Sequence, residues 1–405
     1  MEHKLDFKVI LILIVSFILL IISISFYLFM NTKDIIIKTN LNRNFRDEVY
    51  LKDFIYKLDG TLKNNYKIDT RVVGKQEVKA IYQDKHGFYK AKRFTITIKD
   101  VNPPTILVTS DYSVEQGTDM RLEDKILCAD DYDDSTKCII EGSYNLEEVG
   151  TYPLTISATD KYGNKTEKEF NLNVTPKKEK YNNNEIDNKE EEKIVSSITF
   201  NDIYNKYKNN NTMVGIDISK WQQDIDFKKL KNANVEFIFI KIAGQREKNG
   251  KIFIDPKFEE NIKKALNNKF KVGIYFFSYA KNPLEARKQA KYVVNLLKDY
   301  NIELPIVFDW ENWEEYNSFK ISLNTLNKIA TTFIDEVENN GYNGMLYSSK
   351  YYLDNIWFKE DYKKIWVANY GELQEKEQYN YWQLCSDGTV DGINTLVDID
   401  VMFNS

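Results

Sequence analysis

The chain has 405 residues, room for roughly two to four domains, and 42% of them are hydrophobic, as in ordinary globular proteins. The formal net charge of -5 gives no basic field, which argues against nucleic acid as a partner. Both histidines, His3 and His86, lie in the N-terminal part of the chain. The C-terminal half therefore cannot use Ser-His-Asp or Cys-His catalysis or an H-E-x-x-H zinc site, and its chemistry must depend on carboxylates, Tyr, Lys or Ser. We predict no metal and no cofactor.

An uncharged apolar segment lies near the N-terminus, where residues 9–30 read "VILILIVSFILLIISISFYLFM". A helix of this length spans roughly 33 Å, enough for the hydrocarbon layer of a membrane. A signal peptide would have a shorter apolar region and an A-x-A-like cleavage site, and neither is found. We therefore expect a cytoplasmic tail at 1–8, a transmembrane helix at 9–30, and a single-pass protein of the cell membrane whose other domains are extracytoplasmic.

The middle of the chain contains a repeat. The sequence "VGKQEVKAIYQDKHGFYKAKRFTITIKD" from Val73 matches "VGTYPLTISATDKYGNKTEKEFNLNVT" from Val149, and Asp84 matches Asp160 at the same offset of 76 residues. Each unit alternates apolar and polar residues around a D-K-x-G turn, the pattern of half-buried strands joined by a hairpin. The pattern predicts two small all-β sandwiches, at 31–100 and 101–175, that resemble the immunoglobulin-like modules of bacterial surface proteins.

The second unit carries two cysteines around an acidic loop. Outside the membrane, Cys128 and Cys138 could form a disulfide that closes "ADDYDDSTK". The loop carboxylates are either calcium ligands or an ordinary solvated acidic loop: Asp130, Asp131, Asp133 and Asp134. The third cysteine, Cys385, is expected to be a buried apolar residue.

Residues 176–212 form the predicted linker between the modules and the last domain. Its first part, "PKKEKYNNNEIDNKEEEKIV", is charged, rich in Asn and nearly free of large apolar residues, which predicts a flexible segment. A helical turn or two could follow in "SITFNDIYNKYKNNN".

Residues 213–405 alternate strand and helix patterns. The sequence predicts helices at 256–268, 283–299 and 323–340. Apolar strands that alternate with helices are typical of a parallel sheet with covered faces, and eight of them indicate a closed barrel with few helices on its last side. The active site of such a barrel lies at the C-terminal ends of its strands. The eight predicted strands are "MVGIDIS", "FIFIKIA", "KVGIYFFSYA", "PIVFDWE", "GMLYSS", "KIWVANY", "YNYWQL" and "LVDIDVMF".

Acidic residues are found at several of these strand ends. Asp309 and Glu311 end the fourth strand and, because side chains alternate along a strand, point to the same side. Asp217 ends the first strand, and Asp398 and Asp400 share the lumen-facing side of the eighth. Two adjacent carboxylates repel each other, which costs stability and raises the pKa of one of them. We expect the acids to converge on one mouth.

Aromatic residues accompany the acids, and all six Trp lie in this domain. Aromatic faces suit sugar rings, and paired carboxylates are the usual catalysts of glycoside cleavage. We predict that Trp310 and Trp357 belong to the core. The aromatic side chains predicted to bind substrate are Tyr275, Phe277, Tyr279, Trp366, Tyr370 and Trp382.

The order of the C-terminal motifs resembles that of the glycoside hydrolase family 25 muramidases. The motifs are "GIDISKWQQDIDFKKL", "FIFIKIA", "VGIYFFSYA", "LPIVFDWE", "IWVANYG", "YWQLCSDGTVDGI" and "VDIDVMF". The resemblance covers about 190 residues. It implies an irregular α/β (TIM-like) barrel that cleaves the β-1,4 bond between N-acetylmuramic acid and N-acetylglucosamine in peptidoglycan.

The resemblance also implies roles for the acids. Glu311 is expected to be the general acid, and Asp309 its charged partner, which raises the pKa of Glu311 and stabilises an oxocarbenium-like state or orients the acetamido group. Asp217 and Asp398 are expected to line the cleft floor. Asp400, where the family often has Asn, is grouped with the substrate-binding residues.

One departure from the family pattern leaves other functions open. The family commonly has Thr-Glu-Gly after the second strand, whereas this chain has Ala243, Gly244 and Gln245. The alternatives are a non-catalytic glycan-binding surface protein and a glycosidase for another N-acetylated polymer such as chitin. Attack by water, attack by a carboxylate nucleophile and substrate assistance also stay open as mechanisms.

Overall fold

The computed structural model describes residues 7–30, 34–177, 197–245, 250–311, 313–374 and 376–403, without the side chains of 7–10, 28–30 and 377. The chain divides into two compact units, residues 1–101 and 102–405. Most of the predicted tail 1–8 and residues 178–196 of the predicted linker lie outside the described residues.

The first unit begins with helix α1, Phe7–Met30, whose side chains are exposed over 11–27. Over the described side chains, which in α1 are those of residues 11–27, no helix is long and apolar enough to cross a membrane. The rest of the unit is module 1, a two-stranded sheet β1-β3 and a four-stranded sheet β2-β6-β5-β4. The strands are β1 Ile35–Ile37, β2 Asn42–Asn44, β3 Ile55–Leu58, β4 Gly60–Leu62, β5 Gly74–Asp84 and β6 Tyr89–Lys99.

Module 2 opens the second unit and repeats the strand pairing of module 1. Its two-stranded sheet is β7-β9 and its four-stranded sheet is β10-β11-β12-β8, with β8 parallel to β12 as β2 is to β6. The pairing explains the sequence repeat, and the immunoglobulin-like assignment stays a prediction. The elements are β7 Thr105–Leu107, β8 Asp111–Glu115, α2 Leu122–Lys125, β9 Leu127–Ala129, β10 Lys137–Glu141, β11 Gly150–Thr159 and β12 Lys165–Thr175. A disulfide joins Cys128 to Cys138, as predicted.

The C-terminal domain is a closed barrel of eight strands, and all eight predicted strands are present. Its sheet runs β13-β21-β20-β19-β18-β17-β16-β14 and closes through β13–β14, while the short strand β15 extends from β14. The strands are β13 Thr212–Ile218, β14 Phe237–Gln245, β15 Ile252–Ile254, β16 Lys271–Phe277, β17 Ile306–Asp309, β18 Gly344–Ser349, β19 Ile365–Ala368, β20 Tyr381–Gly388 and β21 Val397–Phe403.

The prediction of a wholly parallel sheet was wrong for the last strand. Strand β21 is antiparallel to both of its neighbours, β13 and β20. The connection over residues 389–396 is too short for a crossover, so the chain turns back beside β20. This reversal brings the N-terminal end of β21, rather than its C-terminal end, to the mouth of the barrel.

Helices cover the outside of the first half of the barrel. They follow the predicted periodicity: α8 has a Ser322 N-cap and buries residues such as Leu326, Ala330 and Phe333 along one stripe. The helices are α3 Phe200–Tyr207, α4 Phe227–Asn232, α5 Phe258–Asn267, α6 Pro283–Leu297, α7 Tyr316–Phe319, α8 Leu323–Asn339 and α9 Lys350–Asn355.

Large apolar side chains fill the lumen below the mouth. Phe239 stacks on Trp366 with 4.6 Å between ring centroids. Gly273 makes room for this ring, because a Cβ there would lie 2.1 Å from a Phe239 ring carbon. The lumen cluster is Phe237, Phe239, Leu304, Val307, Met345, Trp366 and Tyr381. The lumen is therefore a packed core, and polar chemistry is confined to its upper end.

The end of the predicted flexible linker is instead part of the barrel unit. Helix α3 has a Thr199 N-cap, and its Phe200 is 2% exposed and packed in the core between strands and helices. Tyr207 of the same helix meets Trp382 edge-on, with ring centroids 5.1 Å apart. Apolar spacing within "TFNDIY" was enough to anchor the helix.

Truncation of Phe200 tests this assignment. We expect Phe200→Ala to lower the free energy of unfolding by about 3–5 kcal/mol, because a buried ring is replaced by a cavity. Leu284→Ala, at a side chain 61% exposed on α6, is the control and should change it by less than about 0.5 kcal/mol. Equal denaturant midpoints for the two variants would show that α3 is not part of the folded domain.

Candidate active site

A cavity of about 250 Å³ opens at the mouth of the barrel. The lining residues come from the inner faces of the parallel strands, from positions just beyond their C-terminal ends, and from β20 and β21, whose side chains face the same opening. The lining residues are Asp217, Lys241, Tyr275, Phe277, Asp309, Glu311, Tyr347, Trp366, Tyr370, Gln383 and Asp398. The four predicted catalytic acids are thus brought together, along with four of the predicted aromatic residues.

The acid pair follows from strand alternation at the end of β17. Phe308 and Trp310 are fully buried in the core outside the sheet, whereas Asp309 and Glu311 point into the cavity. Asp309 is only 5% exposed, and its Oδ1 has no hydrogen-bond partner among the described atoms. Glu311, one step beyond the strand, is exposed to the cleft. The two carboxyls therefore meet different environments, one enclosed and one accessible to a ligand.

A second pair of acids faces them from the closing strands. Asp217 on β13 and Asp398 on β21 are directly opposed across the antiparallel ladder. Gln383 Nε2 donates to Asp217 Oδ2 at 2.8 Å, and Gln383 Oε1 accepts from the hydroxyls of Tyr347 at 2.8 Å and Tyr370 at 3.3 Å. This network fixes the Asp217 carboxyl and ties it to two aromatic walls.

Burial raises the pKa of every carboxyl in the cluster. Burial first and the charge of Glu311 second hold the pKa of Asp309 well above its usual range. Burial also raises the pKa of Glu311, and burial followed by Asp398 raises that of Asp217. The pKa of Asp398 is raised to about 6, again mainly by burial. Burial is the first cause for both members of the pair, and the charge interaction between Asp309 and Glu311 adds to it. The effect of the Asp309 charge on the pKa of Glu311 stays a prediction.

Lys241 on β14 is the cation of the cluster. Its charge lowers the pKa values of Asp309, Glu311 and Asp217 against the effect of burial. Its Nζ lies 4.5 Å from the ring centroid of Phe277, which holds the ammonium at the cavity wall. One lysine beside four carboxyls leaves an excess of negative charge, so the cluster retains protons more readily than isolated carboxyls do.

Three of the predicted substrate-binding residues do not line the cavity. Trp382 is 1% exposed and packs under Tyr207, with its indole N–H donating to Asn369 O at 2.7 Å. The prediction chose the wrong face of β20, since Tyr381 and Gln383 point inward and Trp382 points outward. Tyr279 lies beside the cavity, edge-on to Phe277.

Asp400 is also misplaced by the prediction, because it is fully buried beneath the cavity floor. Its Oδ1 accepts from the Trp366 indole N–H at 3.0 Å. Burial first, and then the charges of Asp217 and Asp398, hold its pKa well above its usual range. Asp400 supports the floor and cannot touch a ligand in this arrangement.

Three cavity residues were not predicted from the sequence: Lys241, Tyr347 and Gln383. A signal existed for Lys241, the single charge inside the apolar run "FIFIKIA". Gln383 points to the lumen, as Tyr381 does two residues earlier on β20. The sequence alone does not show which face of that strand is the inner one.

The chemistry of the site is that of acid-assisted bond cleavage. Carboxyls that keep protons near neutral pH can donate them, and ionised neighbours can stabilise positive charge. The aromatic walls from Tyr275, Phe277, Trp366 and Tyr370 offer apolar faces to a ring-shaped ligand. Paired carboxyls between such walls are suited to glycoside hydrolysis.

Comparison with known proteins agrees with this chemistry. Residues 216–393 match the family model described as "Glycosyl hydrolases family 25". The "Autolytic lysozyme" of Clostridium acetobutylicum is 26% identical over 191 residues, which are 46% of this chain and 55% of that protein. The matched region is a glycoside hydrolase domain of the lysozyme type.

Two further proteins are similar to part of this chain. The "Uncharacterized protein YegX" of Escherichia coli (strain K12) is 28% identical over 197 residues, 47% of this chain and 69% of that protein. The spore cortex lytic enzyme SleM of Clostridium perfringens is 23% identical, with a TM-score of 0.42 over 49% of this chain and 69% of that one.

Replacement of Asp400 tests whether its buried carboxyl lowers the stability of the protein when it is ionised. Below a pH of about 3.9 the Asp400 carboxyl is protonated in both the folded and the unfolded chain, so it does not lower the free energy of unfolding. Above this pH the unfolded chain releases the proton first, because the pKa of Asp400 is raised in the folded chain. The free energy of unfolding therefore falls as the pH rises. We expect Asp400→Asn to stabilise the protein by about 1–3 kcal/mol at pH 8 and by little at pH 4.

The control for this measurement is Asp387→Asn, at an exposed carboxylate on β20. It should change the free energy of unfolding by less than about 0.5 kcal/mol at either pH. Urea unfolding at pH 4, 6 and 8 measures both variants. If Asp400→Asn raised the free energy of unfolding by the same amount at all three pH values, the raised pKa of Asp400 would be contradicted.

Proposed function

We propose that the protein is an extracytoplasmic muramidase that hydrolyses the β-1,4 bond between N-acetylmuramic acid and N-acetylglucosamine in peptidoglycan. The observation that carries the proposal is the carboxyl pair Asp309 and Glu311, held at the end of β17 in an aromatic-lined cavity. The similarity to an autolytic lysozyme supports the choice of glycan.

Glu311 is the general acid in this proposal because it is the member of the pair that a ligand can reach. Its proton passes to the glycosidic oxygen as the bond to the sugar's anomeric carbon breaks. Asp309, behind it and nearly enclosed, stabilises the positive charge that develops on the sugar ring. Water then adds to the anomeric carbon, and the proton that it releases restores the cluster. Asp217 and Asp398 hold the opposite side of the floor.

Glu311→Gln is the decisive variant. It keeps the size of the side chain but removes the acidic proton, and we expect release of reducing sugars from purified peptidoglycan to fall by about 10²–10⁴-fold. The matched control is Glu315→Gln, four residues along and exposed on the same loop, which should retain wild-type rates. Product mass should show new muramic-acid reducing ends.

The same assay separates the alternatives. Purified chitin, digested in parallel, should yield no products; release from chitin alone would assign a different N-acetylated polymer. Binding to peptidoglycan without release by the wild-type protein would make the cleft a glycan-binding site and overturn the enzymatic proposal.

We further propose that residues 9–30 anchor the protein in the cytoplasmic membrane with the barrel on the outer side. Support comes from the uncharged apolar sequence, which lies within helix α1. The expected orientation is a short N-terminal tail inside the cell. The modules and the barrel would then face the cell wall.

Fractionation of cells tests the anchor. The full chain should sediment with membranes and be released by detergent but not by 1 M salt, whereas a protein that lacks residues 1–30 should be soluble. Protease added to intact protoplasts should degrade the barrel. Salt release of the full chain would exclude an integral anchor, and protection from protease would reverse the orientation.

A further inference from the structure

The loop that follows the general acid is held on one side by the barrel. We call residues 313–322, between Glu311 and helix α8, the acid loop. Trp313 donates its backbone N–H to Glu311 O at 2.8 Å and stacks on Tyr352 with 3.9 Å between ring centroids. Tyr316 O–H donates to Ile321 O at 2.7 Å. These contacts connect the position of Glu311 directly to the conformation of the acid loop.

The acid loop has little regular structure of its own. It contains a 3₁₀ turn at Trp313–Glu315 and the four-residue helix α7, which ends at Phe319 and is followed by Lys320 with a φ of 50°. Helices this short are not stable alone, because too few hydrogen bonds offset the ordering of the backbone. Something outside the loop must therefore fix it.

Module 2 supplies the other side of the support through Asn317. The Asn317 side chain donates from Nδ2 to Ile126 O at 2.7 Å and to Glu123 O at 3.3 Å. Its Oδ1 accepts from the Cys128 N–H at 3.2 Å. One barrel side chain thus forms hydrogen bonds with three backbone groups of the module, along the segment from α2 to β9.

A second set of bonds lies where the acid loop ends. The first N–H groups of a helix have no partner within it. In α8 they donate instead to module 2: Leu323 N to Asp130 O at 2.8 Å and Asn324 N to Asp131 O at 3.0 Å. Leu127 and Ala129 of β9 are buried in the same apolar cluster as the outer core of the barrel. The module is therefore packed on the barrel by apolar contact as well as by hydrogen bonds.

The disulfide stabilises the part of module 2 that receives these bonds. Cys128, whose N–H donates to Asn317, is joined to Cys138 on β10. Strand β9 is only three residues long, so the bridge is a main connection between it and the four-stranded sheet.

We propose that module 2 is a structural part of the active site, and that Asn317 is the positioning residue through which it holds the acid loop and hence Glu311. This inference rests on the proposed function for its effect on catalysis.

Asn317→Ala in the full chain tests the proposal, with Asn268→Ala as the matched control. Asn268 also donates its side-chain amide to a backbone carbonyl, Lys264 O at 2.8 Å, but does so at the end of α5, and it touches neither module nor acid loop. We expect Asn317→Ala to lower kcat on peptidoglycan about tenfold or more with KM within twofold, since small displacements of a catalytic group are costly. The control should keep the wild-type kcat.

A readout independent of activity accompanies the kinetics. Hydrogen exchange of the Trp313 amide, which donates to Glu311 O, should become at least tenfold faster in Asn317→Ala and stay unchanged in Asn268→Ala. Replacing both Cys128 and Cys138 by Ser should lower kcat in the same direction. In the Asn317→Ala protein, replacing both cysteines should lower kcat by a smaller factor than it does in the wild-type protein, because both changes act on the same contact.

The outcomes distinguish the two proposals. If Asn317→Ala is folded and matches the Asn268→Ala control in kcat and in Trp313 exchange, module 2 does not position the acid. If the wild-type protein releases no sugar, the proposed function fails, while the exchange measurement still decides whether module 2 holds the acid loop.

Discussion

The constraint on which the site depends is the crowding of carboxyls at the barrel mouth. Asp217, Asp309, Glu311 and Asp398 share one cavity, and Asp400 lies beneath it. The ionised forms repel one another and lose water, so holding them together costs folding free energy. A closed sheet and a packed aromatic lumen provide the rigidity that keeps such an arrangement from spreading apart.

The antiparallel last strand is what completes that cluster. Because β21 runs against β13, the residue opposite Asp217 is Asp398, near the start of the strand, and Asp400 is displaced one inward position down the lumen. A parallel eighth strand would place its later residues at the mouth instead. The short connection after β20 therefore has a chemical consequence, since it decides which of two similar acids reaches the cavity.

Local pattern was enough to predict much of this structure. The alternation of side chains around Trp310 predicted that Asp309 and Glu311 point to the same side. The helix patterns predicted the positions of α5, α6 and α8 to within about two residues. The sequence did not show which side chains of β20 face the lumen. Tyr381, Trp382 and Gln383 are all of types that suit a cavity, and only the pairing with neighbouring strands fixes the inner face. Contacts such as Asn317 with Ile126, 191 residues apart, depend on how separate segments pack and leave no periodic trace in the sequence.

The different burial of Asp309 and Glu311 supports their proposed roles more directly than their pKa values do. Protons in a coupled pair belong to the pair, and either carboxyl can hold one while the cleft contains water. Glu311 is the member of the pair that is exposed to the cleft, however, and a glycan that fills the cleft removes water from Glu311 while Asp309 is already nearly enclosed. The bound substrate would then raise the pKa of Glu311 and favour the proton on the carboxyl that must donate it. In the proposed mechanism the acid is prepared by binding, and the acid loop must hold Glu311 in place for that to happen.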